Sequence, residues 1–275
     1  MIKDWFKIGF PAQKLPQAKY GLDAPRVVLS LFMLGSIGLI IWGTSAFGLW
    51  SGQFLGMSLN KVGLGCGIGY FLGGLAMIWY SCVGKVRSRE RLLKLLSWTG
   101  NEQVLDVGCG RGLMLVGAAN RLTNGRVTGI DIWRAADLSQ NSSQGALENA
   151  RLEGVIDRVM VKTADMRNLP FPADCFDIVL SSAAIHNLNS RADRTRAIFE
   201  IVRVLKPGGQ VVITDIRHHQ EFVSNFAKQH CNDIKRVGSR VISALVSIST
   251  FGVLQPTAIL VRKPIRNQSK VTNQS

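Results

Sequence analysis

Val104-Leu-Asp-Val-Gly-Cys-Gly-Arg-Gly112 decides the fold. An aliphatic run from Gln103 to Val107 ends in three alternate glycines, and a helical pattern follows from about Gly112 to Leu122. A strand that turns through glycines into a helix directs backbone N–H groups and the helix dipole at a ligand that must approach closely. The spacing Gly108-x-Gly110-x-Gly112 differs from the dinucleotide pattern Gly-x-Gly-x-x-Gly, and Asp106 sits two residues before the first glycine. A carboxylate there is a poor neighbour for a pyrophosphate and a good one for an ammonium group.

Downstream, strands and helices alternate. Strands are predicted at Arg126 to Ile132, Val159 to Thr163, Phe176 to Ser181 and Gln210 to Asp215, with weaker ones near Ile234 to Gly238 and Thr257 to Val261. Helices are predicted near Gly145 to Gly154, Ala192 to Leu205 and His219 to Gln229, with a turn at Lys206-Pro-Gly-Gly209. This alternation implies a Rossmann-like α/β fold, a mostly parallel sheet with helices on both faces, whose ligand site lies at the carboxyl ends of the strands. Acids stand at three such ends. Asp106 closes the first strand, Asp131 lies 19 residues beyond Gly112 where a carboxylate can take both ribose hydroxyls, and Asp165 can accept from an exocyclic amine.

With VLDVGCGRG come GIDIW, ADMRNLPFPADCFDIVLSSAAIHNL and LKPGG. Together these strings resemble the class I S-adenosylmethionine-dependent methyltransferases, especially the quinone, sterol and small-molecule group. The resemblance covers roughly Arg89 to Lys263. It implies a seven-stranded sheet with the last strand antiparallel and S-adenosylmethionine as cofactor. It further implies that Asp106, Gly108 and Gly110, in the loop that Gly112 completes, cradle the methionine part. Asp131 would bind the ribose and Ile132 flank the adenine, while Asp165 with the backbone of Met166 reads the amino edge. Ser181 or Ser182 would lie near the sulfonium. Trp133 is left between stacking on adenine and simply ending a strand. Arg134 to Gln144 is longer than the family minimum.

The cofactor activates its own leaving group, so the protein mainly aligns the reactants and removes a proton. His186 is the candidate catalytic base, or else a residue that orients its loop; His218 and His219 either line the acceptor pocket or cap the next helix. The cysteines and acids form no metal-ligand spacing. Degenerate glycines or a missing ribose acid would favour a non-catalytic methyltransferase-fold scaffold, and the glycine spacing disfavours a dinucleotide oxidoreductase.

The amino-terminal third differs in kind. Val27 to Trp50 and Val62 to Gly84 are uncharged stretches of 24 and 23 residues, and about 20 suffice to cross a bilayer core. The first follows a 26-residue polar leader and is too long for a secretory signal. Eleven glycines in the two stretches allow close packing of one span on the other. The organisation expected is a basic leader over 1–26, a transmembrane helical hairpin over 27–84, a methyltransferase domain over 85–263 that opens on a helix from Ser88 to Trp98, and a disordered polar tail over 264–275.

Net charge is +15, and from residue 85 onward 27 basic face 16 acidic side chains. Basic residues flank both spans while only Lys61 lies between them, which places both ends and the domain in the cytoplasm, as in a bacterial inner membrane. An anionic leaflet accounts for this charge, and nucleic acid is not the expected partner because Ser181-Ser-Ala-Ala replaces a base-flipping Asn/Asp-Pro-Pro-Tyr motif. The expected acceptor is a small molecule or lipid. Val241 to Leu254, uncharged and too short to span, reads either as core or as an apolar lip.

Overall fold

Successive side chains leave a strand on opposite faces, so a strand apolar at every position needs cover on both sides. The computed structural model describes residues 18–265 except 50, 51, 55, 135–137, 232 and 239–256. In chain order come helix α1 (Pro25–Ala46), the short strands β1 (Gln53–Phe54) and β2 (Met57–Ser58), then α2 (Leu59–Trp79) and α3 (Lys85–Leu93). The sheet domain follows: β3 (Gln103–Val107), α4 (Leu113–Ala119), β4 (Arg126–Asp131), α5 (Ser143–Leu152), β5 (Val159–Thr163) and β6 (Phe176–Ser182). It closes with α6 (Arg191–Val204), β7 (Leu205–Asp215), α7 (His219–Lys228), β8 (Asp233–Val237) and β9 (Thr257–Arg262).

Seven strands form one sheet in the order β5-β4-β3-β6-β7-β9-β8. Pairing is parallel from β5 to β7, and β9 is antiparallel to both neighbours. Leu105, Val179 and Val211 pack with Ile198, Phe222 and Phe226 of α6 and α7 on one face. Val104, Ile178 and Val212 pack with Leu93, Leu115 and Ala146 of α3 to α5 on the other. Adjacent strand positions thus feed opposite cores, and the parallel strands bring their carboxyl ends to one edge.

The hairpin is joined differently. Gly38, Gly63 and Gly67 bring the α1 and α2 backbones together: a Cβ on Gly38 would lie 2.7 Å from the Gly67 nitrogen, and one on Gly63 would lie 2.8 Å from the Gly38 oxygen. Phe32 and Phe71 meet edge to face at 5.3 Å beside this seam. The outer faces, including Leu29, Met33, Ile40, Leu72 and Trp79, are exposed, and both helices are long and apolar enough to cross a membrane by length and composition.

Two expectations change, and one element was not expected. The helix expected from Ser88 to Trp98 begins earlier and ends at Leu93: Lys85 N–H bonds to Tyr80 O, so a widened turn over Tyr80–Gly84 carries α2 into α3 without a break. Gly84 alone does not stop a helix, and the change from apolar to charged residues alters the surroundings rather than the backbone. The end is set by Trp98, whose indole Nε1 donates to Leu93 O at 2.7 Å. The turn expected at Lys206–Gly209 lies inside β7, where Phe176 pairs with Leu205 and Ile178 with Gln210, so a bulge absorbs the glycines. The β1–β2 ribbon was unforeseen because two-residue strands carry no alternation to read. Val241 to Leu254, most of the leader and the tail from 266 lie outside the described residues.

Candidate active site

The loop after β3 needs its glycines: Gly108, Gly110 and Gly112 have φ of +72°, +51° and +83°, a region side chains disfavour. A Cβ on Gly108 would also collide with Ala184. The amides of Gly108 and Cys109 donate to Ile130 O at 2.8 and 2.9 Å, which lays the loop across the end of β4.

Asp106 is 1% exposed, and neither carboxylate oxygen has a hydrogen-bond partner among the described residues. Burial pushes it up to about 7; the Leu115 amide tempers this shift from outside hydrogen-bond geometry, and the Asp131 charge adds to it. Asp131 by contrast is well supplied. Its Oδ2 accepts from Gly110 N at 2.8 Å, and its Oδ1 accepts from Trp133 N at 2.7 Å and Asn141 Nδ2 at 3.3 Å. Asn141 Oδ1 is itself buried without a partner among the described residues. Ile132 is exposed beside them, while the Trp133 indole donates to the Thr163 hydroxyl at 2.8 Å, pinning it to β5. Asp165 is already gripped: Arg167 Nη2 and Nε donate to its Oδ2 at 2.6 and 2.9 Å and hold its carboxyl below the usual range. Met166 lies near Gly108.

At the ends of β6 and β7 the chemistry changes. Ser181 is buried and donates to Val107 O at 2.9 Å, which leaves Ser182 as the strand-end hydroxyl of intermediate exposure. His186 Nδ1 lies 2.5 Å from Asp215 Oδ1, a close approach off hydrogen-bond alignment, and the His186 amide donates to Asp215 Oδ2 at 3.1 Å. His219 turns inward and its Nε2 meets Asp215 O at 2.9 Å. His218 precedes α7, its side chain making no capping bond, and burial, then the Arg194 charge, lowers its pKa. Asp215, Asn141 and Asn149 escaped the sequence reasoning. For Asp215 the signal was available, an acid ending a strand at the active edge.

An open α/β sheet with a glycine loop and acids at successive strand ends defines a nucleotide-cofactor-binding domain. Residues 105–213 match the family model described as a methyltransferase domain. Among its relatives is "Methyltransferase GfsG" of Streptomyces halstedii, 36% identical over 130 residues, 47% of this chain and 43% of that protein. The "phthiotriol/phenolphthiotriol dimycocerosates methyltransferase" of Mycobacterium tuberculosis is 33% identical over 147 residues, 54% of this chain and 50% of that one. The chain thus spans about half the length of the curated relatives it matches. A solved geranyl diphosphate methyltransferase in complex with SAM shares the fold at a TM-score of 0.53 and 17% identity, over 70% of this chain and 90% of that one.

Proposed function

We propose that this chain is an S-adenosylmethionine-dependent methyltransferase held in a membrane by the α1–α2 hairpin, its domain on the cytoplasmic side of a bacterial inner membrane. Its acceptor is a small or lipophilic molecule. The observation that carries the cofactor is the buried, unpartnered carboxylate of Asp106 beside the Gly108–Gly112 loop. An ionised carboxylate cannot stay unpaired in such a place, and an ammonium group with N–H donors answers it.

The residues present fit the group. Asp106, Gly108, Gly110 and Gly112 would hold its amino acid end, and Asp131 with Asn141 its ribose. Ile132, Asp165 and the Met166 backbone would border its base. Bound there, the cofactor supplies an activated methyl group. Ser182, at the end of β6, would lie near its sulfonium. Asp215 sets the His186 ring with Nδ1 toward the carboxylate, leaving Nε2 to receive the proton that the acceptor atom loses.

Support for a lipophilic acceptor comes from the exposed apolar hairpin and from the similarity to the phthiotriol/phenolphthiotriol dimycocerosates methyltransferase. Purified protein should bind S-adenosylmethionine by calorimetry, and Asp131→Ala should weaken binding about tenfold or more; unchanged affinity overturns the ribose assignment. Membranes incubated with methyl-labelled cofactor should pass label to the organic phase, and label confined to water-soluble products overturns the lipophilic acceptor.

A further inference from the structure

The last residues of the leader form a strap between the apolar helices and the cofactor loops. At one end a single buried amide holds it: Lys19 N donates to Asn149 Oδ1 at 2.9 Å, and Asn149 Nδ2 donates to Lys19 O at 3.1 Å. The same Nδ2 donates to Arg111 O at 2.8 Å, and Arg111 Nε donates to Lys19 O at 2.7 Å. Arg111 is the middle residue of Gly110–Gly112, so strap and glycine loop share one clamp. Farther along, Leu22 N donates to Ser139 Oγ at 3.1 Å and Asp23 bridges to Leu138, the side chain nearest a Cβ placed on Gly110. The segment longer than the family minimum thus supplies the strap's second seat.

The other side of the strap faces the helix that leaves the hairpin. Ser81, Lys85 and Arg89, spaced by four, lie on one helix face. Lys85 is 5% exposed and its Nζ donates to Tyr20 O at 3.0 Å, Gly21 O at 2.6 Å and Asp23 Oδ1 at 3.0 Å. Ser81 Oγ accepts from Asp23 N at 3.1 Å, and Arg89 donates to the Tyr20 hydroxyl at 3.1 Å. An ammonium has three protons, and a buried one that uses all three tolerates no change in the path of its acceptors.

We propose that Lys85 is a positioning residue for the cofactor site: it holds the strap over 19–23, and the strap holds Arg111 and Leu138, so Gly110–Gly112 keeps its binding shape only while the hairpin helices are seated. This rests on the assignment of that loop to the cofactor. Because coupling between two sites is reciprocal, a bound cofactor also tightens the strap.

The test uses the full chain in lipid nanodiscs and S-adenosylhomocysteine as ligand. Lys85→Met should raise the Kd about tenfold. Asp23→Ala, at a half-exposed carboxylate, should raise it less and keeps the test standing should Lys85→Met fail to fold. Combining Lys85→Met with Asn149→Ala should add little to Asn149→Ala alone, since both act through the strap. In the wild type the ligand should slow hydrogen exchange at the Lys19 and Leu22 amides. Unchanged Kd in both single variants, fully additive losses, or strap amides indifferent to ligand each overturn the proposal while leaving the cofactor site intact. A wild type that binds no ligand overturns the cofactor assignment, and this proposal falls with it.

Discussion

Two buried carboxylates at the same edge of the sheet are treated in opposite ways. Asp106, in the half built on β3 and β4, has no hydrogen-bond partner among the described residues. Asp215, in the half built on β6 and β7, accepts from the Ile216 and His186 amides at 2.7 and 3.1 Å and has an imidazole beside it. The first carboxylate is left open to a partner from outside the described residues, and the second is fixed by its neighbours. That division suits a reaction in which one half binds a cationic cofactor and the other handles a proton.

The strongest way to break this division is at Asp215. Asp215→Asn should lower kcat about 10²- to 10⁴-fold while leaving cofactor Kd unchanged, measured by label transfer and calorimetry. A shift in Kd instead of kcat would show that the two halves are not separate. Asp106→Asn should do the reverse, costing about a hundredfold in cofactor affinity, because a charge-assisted bond is replaced by a neutral one.

Asp106 also links stability to pH. Its pKa rises on folding to about 7, so between the ordinary carboxylate range and about 7 the folded, ligand-free protein binds more protons than the unfolded chain. Stability contributed by the protonated form is therefore lost as pH rises through about 7. Asp106→Asn should abolish that loss and raise ligand-free stability at pH 8 by up to about 4 kcal/mol, seen in thermal melts at pH 5 and 8. In the wild type, cofactor affinity should fall about tenfold for each pH unit below the same point.

The smallest effect concerns the hairpin. There the contact is backbone on backbone, whereas the domain is held by large aliphatic side chains on both sheet faces. Gly67→Leu should weaken α1–α2 packing by about 1–3 kcal/mol, measured by cysteine cross-linking between the helices. Gly65→Leu is the control, since a Cβ there meets nothing within 4 Å. Equal effects at both positions would remove the glycine seam as the reason for the packing.

Much of this was legible beforehand. The alternation of strands and helices located β3 to β7 and α6 and α7, because burial on a strand or a helix face leaves a local trace. The three glycines after β3 were legible because a strand that turns sharply into a helix requires positive φ. The continuity of α2 into α3 was not: nothing local marks a helix that merely changes surroundings. Nor was the engagement of Asp165 by Arg167, which leaves that carboxylate committed to a neighbour two residues away.

By itself, the sequence determined which residues stand at the carboxyl ends of the strands, since that follows from element order and spacing. Only the tertiary structure decided which acid stays unpaired and which is paired. It alone joined Lys19 to Asn149 across 130 positions and His186 to Asp215 across 29. The physical reason is that desolvation and partnership depend on what the strand order β5-β4-β3-β6-β7-β9-β8 brings together, and no local pattern encodes that proximity.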